Sequence, residues 1–192
     1  MRVRALDIPE VLEIVPPKFA DHRGFFSETF AQQKFADRGI DIFWVQDNHS
    51  LSRAAGVLRG LHYQAPPAAQ DKLIRVVRGS IFDVAVDIRH GSPTFGKWVS
   101  LVISAAAWNQ ALIPKGFAHG FLTLEPDCEV IYKVSAPYSA AHDRSIRFDD
   151  PDIGIAWPAI EGPLVLSEKD AKAPYLRDID SGFSFEDTRS PR

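Results

Sequence analysis

The sequence has one cysteine, Cys128, and one methionine in 192 residues. A lone thiol excludes an intrachain disulfide and fits a reducing cytoplasm, where we expect the protein to reside. Cys128 stands beside Glu129 in a strand-like run, so a packed thiol is expected rather than a nucleophile. No apolar stretch approaches the roughly 18 residues that span a bilayer, and no basic segment followed by an apolar one opens the chain. No membrane association is therefore expected. Positive charge is not in excess either: 22 Lys and Arg against 25 Asp and Glu give a net charge of −3. That balance excludes a general nucleic-acid binder but leaves room for a local Arg/Lys cluster around a small anion. Helical periodicity is scarce. Residues 31–39 can form about two turns ended by Gly39, and 167–172 read as a short helix capped by Ser167.

What the chain has in quantity is short strands. Apolar residues make up 45% and charged ones 24%, an ordinary globular balance. The run Ile-Phe-Asp-Val-Ala-Val-Asp-Ile (81–88) is rich in apolar and β-branched residues, interrupted by Asp83 and Asp87. Residues 73–78 precede it, and the intervening Gly79-Ser80 reads as a two-residue hairpin turn. Further runs at 97–104, 110–113, 120–124 and 129–135 are separated by Gly, Pro, Asn or Asp. This spacing predicts an all-β sandwich or barrel. No repeat, low-complexity tract or linker divides the chain. Residues 1–177 are expected to form one domain, and 178–192, polar and without a periodic apolar face, a loosely held tail.

Two histidines in apolar, glycine-punctuated settings stand out: His62 in Gly-Val-Leu-Arg-Gly-Leu-His-Tyr-Gln (56–64) and His119 in Ile-Pro-Lys-Gly-Phe-Ala-His-Gly-Phe (113–121). Each is expected to end a short strand. An unpaired buried polar group costs roughly 1–3 kcal/mol, so such a ring must find partners or serve chemistry. One alone reads as a hydrogen-bonded core residue; two, with Arg59, Lys72 and Tyr132 in similar contexts, point to a site. Histidine near neutrality can take a proton from a carbon beside a carbonyl, provided a cation stabilises the enolate oxygen. Lys72 could supply that charge, Tyr132 could return a proton from the other face, and Asp170 could orient an imidazole. Taken singly, Lys72 also reads as a solvated strand-edge charge, Tyr132 as a half-buried amphipathic residue, and Asp170 as a helix-surface carboxylate. The Pro-rich segment 65–69 reads as a loop beside His62 and Lys72.

A metal site is the competing chemistry. The segment 114–119 resembles the second half of the cupin signature, but His62-Tyr63-Gln64 lacks the second histidine that the first half requires. That falls below the usual three protein ligands. The first fifty residues supply a different set. Asp21 to Glu28 reads as a turn into a strand with Arg23 and Glu28 near its ends, and Gln46, Asp47, Asn48 and Ser50 follow. Guanidinium groups suit phosphate, amides and a carboxylate suit the edge of a base, and Phe25 or Phe26 could stack on it. Each of these residues alone also reads as a turn or strand-edge polar group.

Seven segments together resemble the dTDP-4-dehydrorhamnose 3,5-epimerase family. They are Asp-x-Arg-Gly-x-Phe-x-Glu (21–28), Gln-x-Asn-x-Ser (46–50), the runs 56–64 and 113–121 quoted above, Gly-Ser-Ile-Phe-Asp-Val-Ala-Val-Asp-Ile-Arg (79–89), Ser-Pro-Thr-Phe-Gly-Lys-Trp (92–98) and Asp-Pro-Asp-Ile-Gly-Ile-Ala-Trp-Pro (150–158). They occur in order from about residue 5 to 177. The resemblance implies a jelly-roll β-sandwich of the cupin type with a few short helices, a homodimer, and no metal or organic cofactor. It implies inversion at C3 and C5 of dTDP-4-dehydro-6-deoxy-D-glucose. His62 matches the family's base, Tyr132 its acid, Lys72 the lysine near the keto oxygen, and Asp170 the carboxylate partner of the histidine. Arg23, Phe26, Glu28, Gln46, Asp47, Asn48, Arg59, His119, Tyr138, Asp143 and Lys169 match substrate-contacting positions. Asp143 stands where many members carry Glu. The alternatives are a mono-epimerase on a related sugar, a nucleotide-sugar binding protein without catalysis, and a metal-dependent cupin.

Overall fold

The computed structural model describes residues 1–186. Its strands, numbered along the chain, form two antiparallel sheets and a small hairpin. One sheet runs β1 (Arg2–Ala5), β2 (Leu12–Val15), β10 (Gln110–Ile113), β7 (Lys72–Arg78), β12 (Cys128–Val134) and β5 (Gln46–Ser52) from edge to edge. The other runs β13 (Asp143–Ser145), β6 (Leu58–Gln64), β11 (Phe117–Thr123), β8 (Ser80–Asp87) and β9 (Trp98–Ser104). The hairpin pairs β3 (Phe19–Asp21) with β4 (Gly24–Phe26). This is the all-β sandwich expected. The helices are short too: α1 (Gln32–Ala36) ends before Gly39, which takes a φ of +78°, and α2 (Glu168–Ala171) is capped by Ser167, whose Oγ accepts the Asp170 N–H.

Strand alternation builds the core. Ile74 and Val76 of β7, Val130 of β12 and Ala111 and Ile113 of β10 face Ile81 and Ala85 of β8, Val99 and Ile103 of β9, and Phe117 and Phe121 of β11. The opposite face of the larger sheet packs Ile14, Leu73 and Leu112 under Phe35, Ile40 and Ile42. The opposite face of the smaller sheet packs Leu61, Tyr63, Val84, Val86 and Ala118 under Ile146, Ile153, Leu176 and Phe183.

Three local expectations are corrected. Gly79-Ser80 does not close a hairpin: β7 and β8 lie in different sheets, Arg78 opposite Glu129 and Ser80 opposite Ser104. The turn is the corner where the chain crosses between sheets. Gly79 allows it with a φ of +79° and with Cys128 Sγ only 2.5 Å from where a Cβ would stand. Neither histidine ends its strand: His62 lies within β6 and His119 within β11, which begins three residues earlier than the sequence run. The segment expected as a loose tail is docked over 181–185. Ser181 Oγ donates to Ile88 O, the His90 and Phe185 N–H groups bond Phe183 O and His90 O, and Phe183 is buried. The remainder of the expected tail, 187–192, lies outside the described residues. Cys128 is buried, its thiol donating to Ser80 O and Glu125 O, as a packed thiol should be.

Candidate active site

At one end of the sandwich the inner rows change from apolar to polar without leaving register, and a cavity of about 550 Å³ opens between the sheets. That volume suits a small organic ligand. On β7 the inner row reads Val76, Ile74, Lys72; on β12 it reads Cys128, Val130, Tyr132. Lys72 is thus a core-row residue carrying an ammonium, 9% exposed, and not a solvated strand-edge charge. Its Nζ donates to His62 O at 3.1 Å. Burial pushes its pKa down to about 8, against the pull of Asp83 and Asp143 and with a small push from Lys169. From β5, Gln46, Asn48 and Ser50 line the cavity, while the alternate residue Asp47 points away and pairs with Lys133.

The smaller sheet contributes Arg59, His62 and His119, and the first two require a break in the pleat. Residues three apart on a regular strand point to opposite faces. Here His119 pairs with His62 but Phe121 with Arg59, so β6 carries one extra residue between them, a β-bulge. Arg59 and His62 therefore both face inward, while Leu61 turns into the cluster behind the sheet. Gly60 makes the bulge possible. It has a φ of +119°, and a Cβ there would stand 2.6 Å from Gly120 Cα and 2.7 Å from His119 O.

Two imidazole–carboxylate pairs result. His62 Nε2 lies 2.5 Å from Asp170 Oδ1. With Nε2 bonded to the carboxylate, Nδ1 is the ring nitrogen left without a hydrogen bond among the described residues, and a third of the side chain is exposed. Asp170 is buried, no helix-surface carboxylate. Burial works to raise its pKa, but hydrogen bonds and charge from His62, with help from Ser167 and Gly60, hold it below the usual carboxylate range. His119 Nε2 lies 2.8 Å from Asp83 Oδ2. Burial, with the charges of Lys72 and His62, lowers the pKa of His119 despite Asp83, which favours the neutral ring. Tyr132 is raised by burial and by Asp143, against Arg59, which keeps its phenol protonated. Arg59 is held by Ser52 Oγ at 3.2 Å and Leu51 O at 3.3 Å; among the described residues it has no ion pair, so its charge is free for an anion. Tyr138, 62% exposed, donates its hydroxyl to Asp143 at 3.3 Å, and Asp143 also pairs with Lys169.

The cavity brings together His62, Tyr132, Lys72, Asp170, Gln46, Asn48, Arg59, His119, Tyr138, Asp143 and Lys169. It does not include Arg23, Phe26, Glu28 or Asp47. Arg23 pairs with Asp21 and Glu28 with Lys34, and Phe26 lies 70% exposed on the β3–β4 hairpin. Asp83 was not singled out from the sequence as a site residue, although a carboxylate interrupting the apolar run of β8 was its signal. Gln64 and Gln70, also in the lining, were missed as site residues, hidden among ordinary strand-end polar groups. Both imidazoles commit Nε2 to a carboxylate, and among the described residues no group of three or more His, Cys, Asp or Glu side chains is placed to hold a metal ion.

The arrangement pairs a carboxylate-backed base with a protonated phenol and a buried ammonium, a set suited to moving a proton beside a carbonyl. Comparison with known proteins leads to the same chemistry. Residues 5–178 match the family model described as dTDP-4-dehydrorhamnose 3,5-epimerase. The enzyme of that name from Sinorhizobium fredii is 51% identical over 185 residues, 96% of this chain and 94% of its own length. The Legionella pneumophila 3,5-epimerase, solved in complex with dTDP-4-keto-L-rhamnose, superposes with a TM-score of 0.89 at 45% identity, covering 93% of this chain and 94% of that one. A 3'-monoepimerase from Streptomyces bikiniensis, in complex with dTDP-quinovose, is 37% identical with a TM-score of 0.84, over 90% of this chain and 87% of its own. With its jelly-roll sandwich, its polar cavity between the sheets and these likenesses over nearly its whole length, this chain belongs to the dTDP-4-dehydrorhamnose 3,5-epimerase family.

Proposed function

We propose that the protein is an isomerase that inverts C3 and C5 of dTDP-4-dehydro-6-deoxy-D-glucose, giving dTDP-4-dehydro-L-rhamnose, without a cofactor. The observation that carries this reading is the meeting of the His62–Asp170 pair, Tyr132 and buried Lys72 in one cavity. The 4-keto group acidifies the C–H bonds at C3 and C5. His62, its Nε2 held by Asp170, takes the proton through Nδ1, and the C–H electron pair moves into the ring to form an enolate. The developing charge on O4 is met by the Lys72 ammonium. Tyr132 then donates its phenolic proton to the opposite face of the carbon, the enolate collapses to the ketone, and the configuration is inverted. Solvent takes the proton from His62 and reprotonates the tyrosinate. Asp170 stabilises the imidazolium formed on the way. Arg59, with no ion pair among the described residues, receives the diphosphate.

A homodimer completes the site in this reading. Arg23, Phe26 and Glu28 lie outside the cavity of their own chain, on or beside a hairpin that exposes Phe19, Phe25 and Phe26. Exposed aromatics clustered on one hairpin are suited to burial against a second copy. A cytoplasmic setting accords with the single, reduced Cys128, and among the described residues no helix is long and apolar enough to cross a membrane.

The test is incubation with the 4-keto sugar nucleotide in D₂O. Deuterium at both C3 and C5 supports double epimerisation, deuterium at one carbon assigns a mono-epimerase instead, and none at either refutes the catalytic reading in favour of binding alone.

A further inference from the structure

Gln64 closes β6 two residues beyond His62, on the same inner face, and is 4% exposed. Its side-chain amide makes three hydrogen bonds. Nε2 donates to Ala68 O at 2.7 Å and to Pro137 O at 3.1 Å, and Oε1 accepts the Ser139 N–H at 2.7 Å. Pro137 and Ser139 flank Tyr138. The Tyr138 N–H itself donates to Oε1 of Gln46 on β5, at 3.1 Å. Three consecutive residues of the turn after β12 are therefore tied to two glutamines, one from each sheet.

The ring held by this clamp stands at the cavity mouth, exposed, with its hydroxyl on Asp143. A mobile aromatic there would have to be ordered each time a ligand bound, which weakens binding. Only a carboxamide can make the clamp, because it must donate to two carbonyls and accept from an N–H with a single group. Glutamate at this position keeps the acceptor but loses both donors and adds a buried charge. Methionine keeps the volume and loses all three bonds.

We infer that Gln64 is a positioning residue for ligand binding, which acts by fixing the 137–139 turn so that the Tyr138 ring is preset against the bound nucleotide sugar. The inference rests on the reading of Tyr138 as a ligand contact.

The test compares Gln64→Met, Gln64→Glu, Tyr138→Ala and the double variant Gln64→Met/Tyr138→Ala. Steady-state kinetics with the 4-keto sugar nucleotide gives KM and kcat, and calorimetry with dTDP gives Kd independently of turnover. Each Gln64 variant is expected to raise KM and the dTDP Kd by roughly three- to tenfold, with kcat changing less than that. In the double variant, Gln64→Met is expected to add nothing to the loss caused by Tyr138→Ala. Multiplicative losses in the double variant, or equal falls in kcat with KM unchanged, overturn the inference. So does an unchanged Kd in both Gln64 variants when thermal unfolding shows them folded. If neither variant folds, Gln64 is a structural strut and the inference is wrong. Loss of all turnover in the unmodified protein, with dTDP binding intact, would refute the proposed reaction while the calorimetric comparison still decides the role of Gln64.

Discussion

Replacing Lys72 by methionine should stabilise the protein and abolish its activity. Lys72 continues the row of Ile74 and Val76, and burial lowers its pKa from the usual 10.5 to about 8. At about 1.4 kcal/mol per pKa unit, holding this ammonium in the core costs roughly 3 kcal/mol. Methionine gives up the 3.1 Å bond to His62 O, worth about 1 kcal/mol, which leaves a net gain of roughly 2 kcal/mol near neutral pH. For a chain of this length that is a rise of about 4–8 °C in Tm. The sign depends on pH. Below about 8 both folded and unfolded chains carry the proton, and the full cost is present. Between about 8 and 10.5 the folded lysine is neutral while the unfolded one is still charged, so the wild type gains stability as pH rises. Thermal unfolding of both proteins from pH 7 to 10.5 should show the advantage of the variant shrinking across that window. Turnover of the wild type should fall above about pH 8, because a neutral amine cannot meet the enolate charge. A Lys72→Met protein that is less stable than wild type at pH 7, or one whose advantage does not change with pH, would refute the reasoning.

His62→Ala should lower kcat by roughly 10²–10⁴-fold with a much smaller change in KM; a variant keeping more than about a tenth of the turnover means that another residue is the base. Tyr132→Phe should still wash deuterium into the carbon that faces His62 while net inversion drops. Equal falls in exchange and inversion would mean that Tyr132 is not the acid. Gly60→Ala should destabilise the fold by about 3 kcal/mol or more, since the added Cβ meets Gly120 and the His119 carbonyl at a φ of +119°; an unfolding midpoint within a degree of wild type would count against the bulge as described.

The middle strands were legible because each carries its own apolar run between turn residues, and the structure puts β9, β10 and β12 within one or two residues of them. What a local reading could not supply was the partner of each strand. Gly79-Ser80 has the composition of a hairpin turn, yet the residues on either side bond to different sheets, a decision made by strands far along the chain. The site divides in the same way. His62, Lys72, Tyr132 and Asp170 were found through their chemistry and the family resemblance, but the pairing of His62 with Asp170 spans 108 positions and no local pattern displays it. Asp47 fails by parity: between Gln46 and Asn48 on β5 it must face the other way, which alternation alone would have told. Arg23, Phe26 and Glu28 lie on or beside an exposed hairpin whose place relative to any cavity is a matter of assembly rather than of sequence.

The bulge in β6 has a consequence for how this chain can change over time. It acts as a phase shift: the strand upstream of Gly60 is out of step with the strand downstream, and Arg59 and His62 share a face only because the shift lies between them. Evening out the ladder with all the residues kept would turn either the guanidinium or the imidazole into the apolar cluster behind the sheet, beside Leu61 and Tyr63, because residues three apart on a regular strand face opposite ways. The uneven ladder at Gly60 is therefore as much a part of the site as the chemistry of Arg59 and His62, and lineages of such a sandwich can exchange side chains around the cavity far more readily than they can straighten β6 at this point.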